Sequence, residues 1–260
     1  MGHRLHQNGI ERPGLTTRLL PFLQHIKTAS HEAFFPGICR SCGQLMSGAP
    51  ILGLCDECSM LVIPCGKEIC TRCGGPLVAE SSCVCNRFGI RHFDVARSSF
   101  IWTGPVRDLV LSLKYSKRWE LAGDMAAVMA ATWRESGLQL PDMIIDVPLT
   151  PARFLSRGYN QSALLAQSFA KTIGVARACS PLKRTSFKTS TKGSSPSERT
   201  DLVSGAFALK HPETVKDRSI IIIDDVITTG ATLSECAFIL KHGGASRVDV
   251  FSFARAVPHT

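Results

Sequence analysis

Apolar residues fall along this chain in blocks whose spacing alternates between continuous runs and helical stripes. The strongest block is Ser219-Ile220-Ile221-Ile222-Ile223, where four consecutive Ile predict a strand buried on both faces, too short for a membrane span. Asp224-Asp225 follow, where that strand should leave its sheet, and then Val226-Ile227-Thr228-Thr229-Gly230-Ala231-Thr232. Leu233, Ala237, Ile239 and Leu240 then recur at helical spacing and stop at Gly243-Gly244. The unit reads as strand, acidic pair, hydroxyl-rich loop, helix.

Similar blocks precede it. Arg97 to Trp102 reads as a strand, and Val106, Leu109, Val110 and Leu113 mark one face of a helix ending at Lys114-Tyr115. Glu120 to Glu135 is an Ala- and Met-rich helical stretch, and Met143 to Val147 is a strand introduced by Pro141. Pro148 and Pro151 predict a stiff turn. Asn160 can cap a helix with Ala163, Leu164, Phe169 and Ile173 on its apolar face and Gly174 as its stop. Ala176 to Leu182 predicts a further strand, and Arg247 to Phe253 the last one. Strands alternating with helices predict an α/β fold with a mostly parallel sheet. Near the N-terminus, Leu19, Leu20, Phe22, Leu23, Ile26, Phe34 and Phe35 suggest a short helix after a polar tail. The expected organisation is a tail and helix over 1–35, a Cys-rich module over 36–92, and an α/β domain over 93–260.

Composition sharpens the middle part. Eleven Cys occur in 260 residues, and nine lie between Cys39 and Cys85. The start of the chain has no apolar signal core, so the cytoplasm is the expected compartment, where crowded Cys argue for metal rather than disulfides. Cys39-Arg40-Ser41-Cys42 and Cys55-Asp56-Glu57-Cys58 are two Cys-x-x-Cys knuckles, each placing two thiolates on one tight turn. Together Cys39, Cys42, Cys55 and Cys58 predict a closed tetrahedral structural zinc site. Cys70, Cys73, Cys83 and Cys85 suggest a second, with Cys65 left over as an alternative ligand. Cys179 and Cys236, outside the cluster, are expected to be small buried residues.

Charge adds a direction. The formal net charge is +9, and between Arg177 and Arg199 six cations face only Glu198. Such a surplus favours nucleic acid or a polyanionic small molecule. Residues 183–201 are almost devoid of apolar side chains and predict a mobile loop between two strands, in the place of a lid. Aromatics are sparse at 7%, and Tyr115, Trp119 and Tyr159, close to cations, are the candidates for stacking on bases.

The chemistry expected at the central unit follows from its residue types. Ligands of open α/β sheets sit at the carboxyl ends of strands, and a helix start attracts an anion. Thr hydroxyls add donors, while an acidic pair beside them suits sugar hydroxyls or a divalent cation. A phosphate next to a diol is a sugar phosphate. Arg153 and Arg157, between a strand end and a helix start, suit a second anion.

Ile223 to Thr232 resembles the phosphoribosyl pyrophosphate (PRPP) motif of type I phosphoribosyltransferases. Combined with Pro148-Leu149, Arg157-Gly158-Tyr159-Asn160-Gln161 and the Cys knuckles, the chain resembles the ComF competence-protein family from about Phe35 to Ala256. The resemblance implies a type I phosphoribosyltransferase-like domain behind a zinc-binding module. It implies that Asp224 and Asp225 bond the ribose hydroxyls, directly or through Mg²⁺, and that Thr228, Thr229, Gly230, Ala231 and Thr232 hold the 5′-phosphate. Thr150 and Arg153 would face pyrophosphate, and residues 184–201, with Lys188 and Lys192, would form a mobile hood. The hood departs from the family pattern at Thr200-Asp201-Leu202. Purine-type enzymes place an acid where Thr228 stands, and Thr228 cannot act as a base at neutral pH. Three functions fit: a DNA-uptake accessory protein that binds single-stranded DNA and acts with DNA-uptake proteins, a Mg²⁺-dependent phosphoribosyltransferase with a non-purine acceptor, and a non-catalytic PRPP or nucleotide sensor. No membrane insertion is expected.

Overall fold

The computed structural model describes residues 37–46, 50–66, 68–77, 83, 92–185 and 205–257. The expectations for residues 1–35, for Cys85, and for Lys188, Lys192 and Arg199 with nearly all of the stretch 184–201 lie outside the described residues.

The Cys-rich part contains β1 (Gly37–Ile38), β2 (Leu45–Met46) and the short helix α1 (Asp56–Met60). After it come β3 (Ala96–Ile101), α2 (Gly104–Tyr115), α3 (Leu121–Glu135), β4 (Met143–Asp146), α4 (Pro151–Arg157) and α5 (Gln161–Ile173). The chain continues through β5 (Leu182–Arg184), β6 (Phe207–Leu209), β7 (Ser219–Ile227), α6 (Ala231–His242) and β8 (Arg247–Arg255). The main sheet has the order β3-β8-β7-β4 and is parallel throughout.

The run of Ile forms an inner strand. Ile220 pairs with Met143 on one side and Val248 on the other, and Ile223 with Asp146 and Phe251. Pleating sends successive side chains to opposite faces. Ile221 and Ile223 join a core with Leu109 and Leu113 of α2, Met125 of α3 and Phe169 of α5. Ile220 and Ile222 join another with Leu233, Ala237 and Leu240 of α6. Burial on both faces explains the unbroken apolar run, each side chain contributing about 2 kcal/mol.

The helix boundaries follow local chemistry. Asn160 caps α5 by accepting the Ser162 N–H at 3.1 Å, and Gly174 ends that helix with φ 75°. Two expectations need correction. The Pro148–Arg153 turn becomes the start of α4: Thr150 caps it by accepting the Arg153 N–H at 3.2 Å, and Pro151 occupies its opening turn. The strand expected over Ala176–Leu182 reduces to one bridge from Arg177 to Ile144. Pro181 has no N–H to continue a ladder, and the strand begins after it, with Leu182–Arg184 antiparallel to β6.

The Cys-rich part is packed into the body. Met46, Leu52 and Leu54 share a core with Phe100 and Val106. Pro64 bridges Phe100, the Cys65 N–H donates to Ser99 O at 2.9 Å, and the Ile101 N–H donates to Ile63 O at 2.8 Å. Residues 63–65 therefore cover the outer edge of β3. Cys236 is buried as expected, whereas Cys179 is exposed because it sits in the irregular segment before Pro181. No helix among the described residues is long and apolar enough to cross a membrane.

Ile222 is fully buried against α6, so Ile222→Ala is expected to cost about 2–5 kcal/mol in denaturant unfolding. A loss below about 1 kcal/mol would contradict the tight packing of β7 on that helix.

Candidate functional site

Thiolates converge at two places. In the turn between β1 and β2, the Cys39 N–H donates to Gln44 O at 2.7 Å and the Gly43 N–H to Cys39 O at 3.0 Å. Gly43 has φ 77°, which lets the knuckle close. Cys55 precedes α1 and Cys58 lies within it, three positions on, so both face one side. The sulfurs of Cys39, Cys42, Cys55 and Cys58 all lie within 4.8 Å of one another, with Cys42 and Cys55 3.7 Å apart. Four sulfurs about 2.3 Å from a tetrahedral ion would stand about 3.8 Å from each other. The donor set and spacing therefore fit a metal ion. Burial resists ionisation of Cys39, but backbone N–H groups of Cys55, Cys42 and Ser41 outweigh it and bring the thiol to about 6.

Cys70, Cys73 and Cys83 form the other group, also within 4.8 Å. Gly74, with φ 66°, lies so close to β3 that a Cβ there would collide with Ala96 O. The Ala96 N–H donates to Arg72 O at 2.7 Å, which ties this knuckle to the sheet. Cys65 belongs to neither group; burial raises its thiol to about 11, with Arg255 opposing. The first knuckle is held to the helices by Ser41 Oγ donating to Asp108 at 2.6 Å.

The other candidate centre is the end of β7. Asp224, Val226, Thr228, Thr229, Gly230, Ala231, Thr232 and Leu233 line a small cleft open to solvent, about 50 Å³ in volume. That is far below the size of pockets enclosing drug-sized ligands. Gly230 stands before α6 with φ 75°, a conformation in which a side chain would be strained. Thr229 Oγ1 accepts the Ala231 N–H at 3.3 Å. The first turn of α6 has no acidic residue, so its positive end is left for an anion.

The acidic pair is divided. The strand continues to Ile227, so the pleat still operates at Asp224 and Asp225 and turns them to opposite sides. Asp224 lines the cleft; its Oδ1 accepts the Ser162 hydroxyl at 2.8 Å and the Asp225 N–H at 2.9 Å. Asp225 is only 3% exposed and pairs with Lys114 Nζ at 2.9 Å, on the α2 side. Both carboxylates were expected at the ligand; Asp224 lines the cleft and Asp225 does not. Burial, then the Asp225 charge, raise Asp224 to about 7, while Ser162, Lys114 and the Asp225 N–H pull the other way.

Thr150 and Arg153 lie at the start of α4, after the strand that neighbours β7, and neither lines the cleft. Arg153 is exposed. Arg157 donates to Gln161 at 2.8 Å and to the Tyr115 hydroxyl at 3.3 Å. Asn160 donates to Asp146 and to Val147 O, both at 3.0 Å, and Arg177 pairs with Asp146 at 3.0 Å. Ser162 and Lys114 were missed from sequence. Ser162 had one usable signal: it opens α5, which follows β4 and the short α4, and adjacent parallel strands end at the same edge.

No protein-family model matches the chain. It is 32% identical over 228 residues to the DNA utilization protein YhgH of Salmonella typhimurium, covering 85% of this chain and 98% of that protein. It is 27% identical over 228 residues to competence protein F of Haemophilus influenzae, covering 85% and 91%. Competence protein ComFC of Streptococcus pneumoniae is 26% identical over 210 residues, covering 78% and 87%. Among solved structures, it is similar to glutamine phosphoribosylpyrophosphate amidotransferase from B. subtilis, with TM-score 0.37, 18% identity, and coverage of 54% of this chain and 30% of that one. A hypoxanthine phosphoribosyltransferase from Staphylococcus aureus gives TM-score 0.33 and 12% identity, covering 54% and 74%.

Two outcomes are expected from this geometry. A chelator should lower the melting temperature of the whole chain in one transition, because Cys39 and Cys58 share a core with α2 and α3; an unchanged melting curve would count against bound metal. Asp224 has a folded pKa of about 7 against an ordinary 3.8, so the folded state holds this proton more tightly than the unfolded state. Its contribution to stability is fully present below about pH 4 and is lost as pH rises through about 7. Asp224→Asn should therefore raise the melting temperature by a few degrees above pH 7, on the order of 1 kcal/mol, and change little at pH 4. Equal shifts at both pH values would contradict the assignment.

Proposed function

The chain belongs to the family of the DNA utilization protein YhgH and competence protein F, and from that membership we propose that it serves DNA use through a pocket for a phosphoribosyl phosphate. The observation that carries the pocket is the Thr228–Thr232 loop turning at Gly230 onto the start of α6, with Asp224 beside it. The loop and first-turn N–H groups take the 5′-phosphate. Asp224 takes a ribose hydroxyl or, once ionised, holds Mg²⁺ together with the ligand's own oxygens. That cation would neutralise the pyrophosphoryl charge of PRPP. Arg153, exposed on α4, is the cation assigned to the pyrophosphate.

The four-thiolate group, with the second around Cys70, Cys73 and Cys83 completed by Cys85, is assigned to structural zinc. Closed thiolate shells leave no position for substrate, so zinc takes no part in the pocket's chemistry. The cytoplasm is the compartment proposed, because a crowd of Cys assigned to metal suits a reducing environment.

Binding is favoured here over purine transfer. Thr228, exposed at the cleft where a purine-type enzyme would carry its acid, has no proton-accepting power at neutral pH. Single-stranded DNA is the macromolecule proposed for the basic surface, in keeping with the relatives' printed names.

Calorimetry with PRPP and Mg²⁺ tests the pocket. Binding should strengthen as pH rises through about 7, with release of a proton from Asp224, and should fall at least about tenfold in Asp224→Asn. No heat of binding, or affinity unchanged in Asp224→Asn, would overturn the reading.

A further inference from the structure

Aromatic side chains in this fold mostly go to the core, as Phe93, Phe100, Phe169, Phe207, Phe251 and Phe253 do. Among the described residues four are exposed: Phe238 at 40%, Tyr115 at 67%, Trp119 at 63% and Phe154 at 51%. The last three sit among cations. Lys114-Tyr115-Ser116-Lys117-Arg118-Trp119 carries three cations and no acid, with Glu120 following. Helix α4, which carries Phe154, contains Arg153 and Arg157 and no acid.

The two segments are clamped together. The Arg157 guanidinium lies 5.0 Å over the Tyr115 ring and donates to its hydroxyl at 3.3 Å. Tyr159, two residues beyond α4, donates its hydroxyl to Leu113 O near the end of α2. Phe154 and Arg157 are three apart on α4 and share its face. Lys114 turns inward to Asp225, the neighbour of the cleft residue Asp224. The exposed surface therefore starts where the cleft's strand is anchored.

We infer that Tyr115, Trp119, Phe154 and Arg157 form a stacking platform for single-stranded DNA. The inference rests on the DNA-use reading above. Ring faces and a guanidinium plane offer flat surfaces to unpaired bases, while Lys117 and Arg118 meet the phosphates between them. A duplex hides its base faces and cannot use such a surface. An apolar protein partner would fit less well, because a cation adjoins each of the three rings in sequence.

Fluorescence anisotropy with a labelled single-stranded DNA oligomer at about 50 mM salt tests the platform. Tyr115→Ala and Trp119→Ala should each weaken binding about tenfold, and Tyr115→Phe less than about threefold. Bound oligomer should also quench tryptophan emission, and Trp119→Phe should remove most of that quench. Both positions are exposed, and matching melting curves check that the variants fold. If wild-type protein binds and both alanine variants bind equally well, the platform is wrong while DNA binding stands. If wild-type protein binds no single-stranded DNA, the DNA-use reading falls and the platform with it. Equal competition by a duplex of the same sequence would overturn stacking, and tighter binding of the matching RNA would overturn the assignment to DNA.

Discussion

The parallel pairing of β7 between β4 and β8 is the constraint on which the rest of the structure depends. Ile223 stands level with both Asp146 and Phe251, so three strands deliver their carboxyl ends to the same edge. That alignment lets Ser162, at the start of α5, reach Asp224 on β7. It also places the loop before α6 where backbone donors and one carboxylate border the same small space. Shifting the register by one residue would turn Asp224 towards Lys114 and Asp225 towards the cleft.

The Cys-rich part depends on the same sheet. Its thiolate knuckles are built locally, from short turns and α1, but they are seated by long-range contacts. Ser41 meets Asp108, Arg40 lies 3.9 Å from Asp124, and the buried Arg255 at the end of β8 donates to Cys73 O. The thiolate groups and the cleft are thus parts of one cooperative body.

What could be read from sequence was whatever is local. Cys-x-x-Cys spacing announced Cys39, Cys42, Cys55 and Cys58 as a group, because two thiols on one turn need no distant partner. The strand, acidic pair, loop and helix around Asp224 were equally plain, as were the Asn160 cap and the Gly174 stop. Long-range choices were hidden. The pleat that separates Asp224 from Asp225 depends on β7 running on to Ile227, which is set by pairing with Arg255 and not by the residues themselves. Lys114 becomes the partner of Asp225 only because α2 packs across that face. The start of α4 reads as a turn in the sequence, because two prolines look like breakers until Thr150 supplies the cap.

The covered edge of β3 has a consequence for how the protein fails. Residues 63–65, the link between the two sulfur clusters, occupy the backbone groups along that strand. If thiol oxidation or metal loss loosens the clusters, their connector is the piece released. What it uncovers is a hydrogen-bonding template on an apolar strand, ready to pair with another copy. Damage at the cysteines should then be propagated as clumping of intact sheets, so that the safeguard against self-association is only as durable as the reduced state of the thiols.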